Sequence, residues 1–417
     1  MTDEHVDVLI IGAGPAGLAA GRALSEHGIR SVLVIDRERQ AGGVPRHCHH
    51  SGFGVRDLRR VLTGPRYADR LVQQCLAAGV QLRTETMATG WVGSNGVALT
   101  SPLGVSHVSA DAVLLATGAR ERPRTARLIP GDRPEGVFTT GQLQQWWHQH
   151  RLPVGRRAIV VGAEHVSYSA ALTLREAGVH VVALVTDRPR HQTFAAFAAA
   201  LRWGLRVPVW TDTEVVAVHG HGRVRAVDLR NRTSGAPRSI AVDTVVFTGD
   251  WLPDNELARS GGLLIDGSSS GPVVDCGGAT TADRVFAAGN VIHPGEPADV
   301  AALRGAAGGT ALARRLASRR DVAGASWVGI EVQQPLQWST PGRLCMDGNI
   351  DAAQLPRGLI LRCGEFRRLP TILVEQEARL LGRYRLWHGI PNRTLYIPLD
   401  WVPRVEAASG PASIRIE

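Results

Sequence analysis

Three glycines near the N-terminus have a spacing that can hold a nucleotide. The run Gly12 to Gly17 reads Gly-Ala-Gly-Pro-Ala-Gly, follows the apolar run Asp7 to Ile11, and precedes Asp36. Gly12 is expected to make a tight turn, Gly14 to let the backbone approach a pyrophosphate, and Gly17 to allow close helix–strand packing. Asp36 would accept hydrogen bonds from ribose hydroxyls. The pattern therefore predicts a dinucleotide-binding unit.

A second group of chemically capable side chains is the unbroken row His47-Cys48-His49-His50. Histidine and cysteine are common metal ligands. Adjacent residues on an extended chain point to alternate sides, so at most two of these four could converge on one ion without ligands from elsewhere. We therefore predict no metal site here.

Composition limits the chemistry further. All 47 basic residues are arginines, because the sequence contains no lysine. A lysine Schiff base, a phosphate-loop lysine and a lysine general base are excluded, since arginine does not deprotonate in proteins. Catalysis must come from a cofactor or from His, Asp, Glu, Tyr or Cys. The net charge of +9 does not predict nucleic-acid binding, because the arginines are not gathered in a stripe with aromatic residues.

The cysteines and the first residues bear on the cellular compartment. The five cysteines are scattered without a CxxC pair, which favours a reducing compartment and indicates no disulfide framework. The first five residues are acidic where a signal peptide would be positive, and no apolar run reaches the roughly 18 residues that cross a bilayer. We expect a cytoplasmic protein without a transmembrane segment.

Strand and helix patterns place the glycine turn in a repeated unit. Pro15 to Glu26 predicts a helix opened by proline, and Ser31 to Ile35 predicts a second, parallel strand. The pattern starts again with a strand at Arg157 to Val161, a helix at Ser167 to Glu176, and a strand at Val179 to Val185. After about residue 321, short β-like runs separated by Pro and Gly predict a small third domain.

Three motifs together resemble the FAD-dependent pyridine nucleotide–disulfide oxidoreductase superfamily, in its thioredoxin reductase-like branch. They are the turn at Gly12 to Gly17 with Asp36, the run Ala116 to Ala119, and the run Val285 to Asn290. The resemblance implies an α/β fold with two Rossmann-like domains, the second inserted in the first, and FAD as cofactor. Residues 1–130 and 275–320 would form the FAD-binding domain, 131–274 an NAD(P)-binding-like domain, and 321–417 the small β-rich C-terminal domain.

The resemblance also implies roles for residues outside the first turn. Gly289 and Asn290 would lie by the ribitol and flavin, although the family usually has Asp at the position of Asn290. The helix from Asp299 would point its N-terminus at the flavin pyrimidine, where negative charge accumulates on reduction. The predicted cofactor-binding residues are Gly12, Gly14, Pro15, Ala16, Gly17, Asp36, Arg37, Gly43, Arg46, Ala116, Thr117, Gly118, Gly289, Asn290 and Asp299.

The chain departs from the disulfide reductases in its cysteines. Those enzymes need a redox-active cysteine pair, whereas the segment after Gly43 holds only Cys48, so disulfide reduction is not expected. The runs Gly43 to Cys48 and Phe247 to Trp251 are more similar to FAD-containing subunits of multi-subunit enzymes, such as opine oxidase, hydrogen cyanide synthase and dye-linked proline dehydrogenase. The C-terminal region has two cysteines, too few for a cluster that needs four thiolates, so any iron–sulfur centre would belong to a partner chain.

Two interpretations of His47 and Cys48 stay open. The segment follows the flavin-proximal glycines, which would place these side chains near the isoalloxazine as catalytic residues. It could equally be a polar loop that supports the cofactor.

The second glycine turn differs from the first. Val161 to Ser167 carries Glu164 at the position of the middle glycine, where its side chain and negative charge would meet a pyrophosphate. Thr186 stands where an acid would hold the ribose of NAD. A rotated Glu164 or a shifted loop would still admit the nucleotide, so binding of NAD(P)H stays open. We expect slow or absent flavin reduction by NADH and NADPH.

Three functions are consistent with these features. The leading hypothesis is a flavoprotein dehydrogenase or oxidase subunit that takes electrons from a small amine, amino acid or hydroxy compound. It would pass them to or from a partner with a second flavin or an iron–sulfur centre. The alternatives are a free-standing NAD(P)H-dependent flavin reductase and a non-catalytic FAD-containing scaffold.

Overall fold

The computed structural model describes residues 3–93, 96–204, 206–318, 326–346, 355 and 358–417. The boundary expected near residue 321 lies outside these residues. Within them, no helix combines the length and the apolar character needed to cross a membrane. The α-helices are α1 (Pro15–Glu26), α2 (Gly64–Ala77), α3 (Thr140–Gln144), α4 (His165–Glu176), α5 (Ala195–Gly204), α6 (Glu256–Ser260) and α7 (Ala298–Ser318).

The β-strands are short in most of the chain. In chain order they are β1 (Asp3–Ile11), β2 (Val32–Ile35), β3 (Ser51–Phe53), β4 (Leu62–Thr63), β5 (Gln81–Arg83), β6 (Met87–Val92), β7 (Gly96–Ser101), β8 (Gly104–Leu115), β9 (Ala119–Glu121), β10 (Val137–Thr139), β11 (Arg157–Val161), β12 (His180–Val185), β13 (Val209–Trp210), β14 (Thr213–His219), β15 (Ala226–Asn231), β16 (Pro237–Ala241), β17 (Thr244–Phe247), β18 (Trp251–Pro253), β19 (Val285–Ala287), β20 (Trp327–Val332), β21 (Leu336–Thr340), β22 (Arg343–Cys345), β23 (Leu359–Cys363), β24 (Arg367–Arg368), β25 (Thr371–Gln376), β26 (Arg379–Arg385), β27 (His388–Gly389), β28 (Thr394–Ile397) and β29 (Ala412–Ile416).

The chain forms two compact units. The first unit comprises Met1–Arg46, Gly52–Ala119 and Pro253–Glu417, and the second comprises His47–Ser51 and Arg120–Leu252. The sequence predicts crossings between domains near residues 130 and 275, and this division stays a prediction. Apart from His47–Ser51, the second unit runs from Arg120 to Leu252.

The first unit is built on a seven-stranded sheet in the order β5-β2-β1-β8-β7-β6, with β19 also paired to β8. β5, β2, β1, β8 and β19 run parallel, and β6 and β7 are antiparallel additions. All four residues of β2 are buried, as a continuous apolar run in a sheet covered on both faces requires. The helix α1 connects the parallel strands β1 and β2, which a short turn could not do.

Small residues let α7 lie directly on α1. A Cβ atom on Gly305 would come within 2.1 Å of the Ala16 carbonyl oxygen, and one on Gly309 within 2.6 Å of the Ala20 carbonyl oxygen. The two backbones are therefore in contact, which fixes both helices relative to the carboxyl edge of the sheet.

The second unit repeats the predicted strand–helix–strand pattern. Its five-stranded parallel sheet has the order β10-β17-β11-β12-β13, with α4 between β11 and β12, and a three-stranded antiparallel sheet β14-β15-β16 accompanies it. The α/β fold with two Rossmann-type sheets is thus confirmed.

The C-terminal part of the first unit is β-rich, as its alternating short runs predict. Two sheets, in the orders β22-β20-β29-β25-β26 and β21-β23-β28, enclose an apolar core that includes the fully buried Trp401.

Candidate functional site

The first glycine turn has the geometry of a phosphate-binding loop. Gly12 has a φ of +111°, and a Cβ atom there would lie 2.4 Å from the Ala116 carbonyl oxygen. A Cβ atom on Gly17 would lie 1.9 Å from the Gly12 carbonyl oxygen. Neither position can carry a side chain. At Gly14 the nearest atom would be the Gly43 Cα at 4.0 Å, so space is open directly above the N-terminus of α1. The backbone N–H groups and positive end of α1, which begins at Pro15, are suited to a pyrophosphate there.

Asp36 follows β2 and holds this turn together. One carboxylate oxygen accepts a hydrogen bond from the Ala13 N–H at 2.8 Å, and the other accepts one from the Glu38 N–H at 2.9 Å. Burial raises the pKa of Asp36, while these two N–H groups and the Arg46 charge act to lower it. Each oxygen keeps a lone pair for a ribose hydroxyl. Asp36 therefore fits the predicted ribose contact.

The strand end at Thr117 and Gly118 is tied to a residue that the motif does not include. Thr117 Oγ1 donates to the Asp254 carbonyl oxygen at 2.6 Å, and the Asp254 N–H donates to the Gly118 carbonyl oxygen at 2.9 Å. The Asp254 carboxylate lies 3.4 Å from the Arg37 guanidinium. Asp254 thus links three predicted cofactor residues, Arg37, Thr117 and Gly118. The only signal in the sequence is its place just after the run Phe247 to Trp251.

Asn290 closes the loop that follows the third motif. Its side-chain amide donates to the Glu296 carbonyl oxygen at 3.0 Å, and its side-chain oxygen accepts from the Glu296 N–H at 3.3 Å. An ionised aspartate could make the second bond but not the first, because it has no proton to donate. Asn290, where the family usually has Asp, therefore makes a hydrogen bond to the Glu296 carbonyl oxygen that an ionised aspartate could not make. Gly289 has a φ of +77°, and a Cβ atom there would lie 2.5 Å from the Ala16 Cβ.

Glu296 extends this loop into the C-terminal sheets. Its buried carboxylate accepts hydrogen bonds from the Thr394 hydroxyl and from the Tyr396 hydroxyl, the latter at 3.1 Å. The carboxylate also lies 3.6 Å from the guanidinium of Arg362, a residue that is 4% exposed. The motif loop and the β-rich region are thus joined by a buried polar network, which we name the Glu296 network. Sequence reasoning missed it, because the contacting residues are about a hundred positions apart.

The N-terminus of α7 is already fixed by side chains. Asp299 is 3% exposed, and one guanidinium nitrogen of Arg56 donates to both of its carboxylate oxygens, at 3.1 and 3.0 Å. The Arg56 backbone N–H donates to the same carboxylate at 3.1 Å. Tyr67 Oη lies 2.6 Å from an Asp57 carboxylate oxygen and 3.3 Å from the Ala298 carbonyl oxygen. The Asp299 carboxylate therefore positions the helix end. A direct contact of Asp299 with the flavin stays a prediction.

His47 and Cys48 lie in the second unit. Cys48 is 7% exposed, and its Sγ donates to the Gln144 side-chain oxygen at 3.1 Å. Burial, and then the charge of Glu121, raise the pKa of Cys48 to about 12. The thiolate is the nucleophilic form, so the Cys48 thiol is unreactive near neutral pH. The flavin proximity and catalytic roles expected for both residues stay predictions.

The neighbouring histidines stack rather than converge on an ion. The rings of His49 and His148 are parallel, with centroids 3.9 Å apart. Burial, and then His49, lower the pKa of His148 to about 4. Over the part of the chain that the structure describes, no three His, Cys, Asp or Glu side chains are grouped to hold a metal.

The second glycine turn is filled by its own acid. A Cβ atom on Gly249 would lie 2.9 Å from the Glu164 carboxylate carbon and from both its oxygens, so this carboxylate lies against the Gly249 backbone. Glu164 is the N-cap residue of α4, where Ser167 Oγ accepts the Glu164 N–H at 3.0 Å and the Ser167 N–H donates to the Glu164 carbonyl oxygen at 3.1 Å. In the first turn the equivalent position, Gly14, leaves open space.

Comparisons with known proteins agree with this geometry. The family model for pyridine nucleotide-disulphide oxidoreductases matches residues 6–320. A ferredoxin–NADP reductase of Salinispora arenicola (strain CNS-205) is 30% identical over 303 residues, which are 70% of this chain and 88% of that protein. An opine oxidase subunit of Rhizobium meliloti is 25% identical, over 69% of this chain and 59% of that protein.

A larger relative is matched only in part. The alpha subunit of sarcosine oxidase from Corynebacterium sp. (strain P-1) is 30% identical over 63% of this chain, but the match spans only 28% of that protein. Among solved structures, thioredoxin reductase of T. acidophilum superposes with a TM-score of 0.62 at 19% identity, over 76% of this chain and all of that one. This likeness shows the fold.

The open first turn with Asp36 fits FAD as the cofactor. The chain belongs to the pyridine nucleotide-disulphide oxidoreductase family.

Proposed function

We propose that this chain is the FAD-carrying subunit of a dehydrogenase or oxidase, which acts with partner subunits on a small amine, amino acid or hydroxy compound. The observation that carries the proposal is the Glu164 carboxylate in the second glycine turn. A free-standing reductase of this fold needs a nicotinamide nucleotide as its source of electrons. A turn that already holds an anion disfavours that source.

The electrostatic argument is independent of the steric one. A pyrophosphate on the α4 N-terminus would face the Glu164 carboxylate, because Glu164 is the N-cap residue of that helix. One contact between like charges at about 4 Å costs on the order of 4 kcal/mol at an effective dielectric near 20. That cost corresponds to about a thousandfold in affinity, which would remove useful binding at micromolar nucleotide.

The cysteine content supports the same proposal. Disulfide reduction requires a thiolate that attacks and a second cysteine that resolves the mixed disulfide. Cys48 is the one cysteine in the segment after Gly43, and its buried thiol stays protonated near neutral pH. The likeness to subunits of sarcosine oxidase and opine oxidase favours a partner-dependent oxidase instead.

The residues of the first unit would hold and tune the cofactor. When bound, FAD supplies the ability to take two electrons from a substrate and to pass them on. The N–H groups at the start of α1, beside Gly14, would bind the pyrophosphate, and Asp36 would bind the adenosine ribose. The N-terminus of α7, held by Arg56 and Asp299, would stabilise negative charge on the reduced ring.

A second candidate, the free-standing NAD(P)H-dependent flavin reductase, is favoured by one observation. The chain covers 88% of a ferredoxin–NADP reductase at 30% identity. The two candidates differ in what reduces the flavin.

Anaerobic stopped-flow mixing of the FAD-loaded protein with NADH and with NADPH separates them. We expect flavin bleaching that is slow and does not saturate at micromolar nucleotide. Rapid, saturable bleaching would overturn the proposal and establish the reductase. Dithionite serves as the control, since it should bleach the same flavin in either case.

A further inference from the structure

The hairpin β3–β4 and the helix α2 carry a strongly basic surface in the first unit. Four arginines along residues 59–70 are exposed, and the valines between them and at the hairpin tip are exposed as well, Val55 at 47% and Val61 at 70%. We name these side chains the arginine surface; its arginines are Arg59, Arg60, Arg66 and Arg70.

The hairpin and the helix form one continuous structure. A Cβ atom on Gly54 would lie 3.2 Å from the Tyr67 ring and 3.3 Å from the Arg60 carbonyl oxygen, so the hairpin tip packs on the first turns of α2. Arg66 and Arg70 are one helical turn apart and therefore lie on the same side of α2.

The charge of the arginine surface is not neutralised within the chain. Across the described residues, none of its four arginines lies within ion-pair distance of an acid, whereas the nearby Arg39 and Arg83 pair with Glu85 and Glu4. The segment 54–70 contains two acids. Asp57 is bonded to Tyr67, and Asp69 is exposed. A net positive surface thus remains available to an acidic partner.

The arginine surface is directly attached to the helix end that is predicted to face the flavin. Arg56, at the hairpin tip, contacts both carboxylate oxygens of Asp299, and Tyr67 contacts the Ala298 carbonyl oxygen. A protein bound at this surface would bring its redox centre close to the N-terminus of α7. The attachment is rigid, since Asp299 and Tyr67 are both buried.

We propose that the arginine surface docks the acidic face of an electron-carrying iron–sulfur protein, and that electrons pass there between this partner and the bound FAD. The proposal rests on the proposed function, which requires a partner. Two reduced partner molecules would each give one electron, and the flavin would take both electrons together with protons from solvent. Weak, electrostatically steered encounters of this kind need only a small contact area.

Other polyanions fit the arginine surface less well. Single-stranded nucleic acid needs exposed rings for its bases to stack on. The two aromatic residues of the β3–β4 hairpin and α2 are Phe53, which is half-buried, and Tyr67, which is buried. Interfacial lipid binding uses Trp, Phe or Leu side chains on an apolar face, whereas the surface exposes two valines.

The test uses the FAD-loaded full chain and a reduced plant-type [2Fe–2S] ferredoxin as the acidic donor. The variant R60E/R66E reverses two charges of the arginine surface. The matched control R368E/R385E makes the same change in net charge at two exposed arginines of the C-terminal sheets. Stopped-flow absorbance follows flavin bleaching over a range of ionic strengths. We expect the second-order rate constant of the wild type to fall as salt rises, and R60E/R66E to lower it about tenfold or more at low salt.

The outcomes separate this proposal from the proposed function. The docking surface is overturned if the rate constant is the same in R60E/R66E and the control, if it does not depend on salt, or if it is too small to measure in the wild type. Bleaching of both variants by dithionite shows that FAD is bound and reducible. If dithionite bleached neither variant, the result would count against the flavoprotein function instead. The surface would be assigned to membranes by two results together. Phosphatidylserine vesicles would co-sediment with the wild type but not with R60E/R66E, and the two proteins would react equally fast with ferredoxin.

Discussion

Glu164→Gly should convert the second glycine turn into a nucleotide site. The wild-type carboxylate lies against the Gly249 backbone at the N-cap of α4, so it occupies the space that a pyrophosphate would use and puts a like charge there. Removing one like-charge contact near 4 Å relieves on the order of 4 kcal/mol at an effective dielectric near 20. We therefore expect the Kd of NADPH to fall about a thousandfold, from millimolar or weaker towards micromolar.

The same substitution should weaken the second unit slightly. Loss of the negatively charged N-cap side chain of α4 costs about 0.3–1 kcal/mol of unfolding free energy, because an anion beside the positive end of the helix dipole is removed. Isothermal titration with NADPH and a thermal unfolding curve measure the two effects separately. Added NADPH should raise the Tm of the variant and leave the wild type unchanged.

Glu164→Gln is the matched control, because it removes the charge and keeps the volume. Tight binding by both variants would identify charge as the obstacle, and binding by Glu164→Gly alone would identify volume. A folded Glu164→Gly protein that binds NADPH no better than the wild type would refute the reasoning, and with it the main support for the proposed function.

Three further predictions concern the first unit and the buried thiol. Glu296→Gln should lower the free energy of unfolding by about 3–5 kcal/mol in urea titrations, because the buried Arg362 loses its counter-charge, and FAD should be retained less well. Gly14→Val should abolish FAD retention in a folded protein, because the side chain fills the open space above α1. The control Gly90→Ala should stay yellow, since a Cβ atom there meets nothing within 4 Å. A yellow Gly14→Val protein would contradict this prediction. Because burial raises the pKa of Cys48 to about 12, mass spectrometry should find it unalkylated by iodoacetamide from pH 7 to 9 in the native protein and alkylated after denaturation.

The sequence predicts the elements around the first turn closely, because their signals are local. The helix expected at Pro15 to Glu26 is observed with those bounds, since proline favours its first position and the glycine turn ends before it. The strand expected at Arg157 to Val161 is likewise observed with those bounds. The helix expected from Asp299 begins one residue earlier, at Ala298, and ends at Ser318.

Contacts between distant segments could not be predicted in the same way. Arg56 and Asp299, or Glu296 and Tyr396, meet only because the fold brings their elements together. No periodicity marks such pairs, and a lone arginine or glutamate usually belongs to a solvated surface. The burial of Cys48 is a similar case, because its row of polar neighbours does not indicate a buried thiol.

The two glycine turns share a backbone hydrogen bond but differ in the N-cap residue of the helix that follows. In both, the first glycine N–H donates to the end of the following strand, Gly12 to the Ile35 carbonyl oxygen at 2.9 Å and Gly162 to the Val185 carbonyl oxygen at 2.7 Å. The N-cap residues of the two helices differ, Gly14 in the first turn and Glu164 in the second. Where Gly14 leaves the α1 N-terminus open to an external anion, Glu164 gives α4 an internal one.

An internal anion interacts with the same helix dipole that a phosphate would, and it is present from the moment the chain folds. A nucleotide entering the second turn would have to displace that charge. Under the proposed function, the second unit would keep the fold of a nicotinamide-binding domain while electrons would pass to or from partners of the first unit.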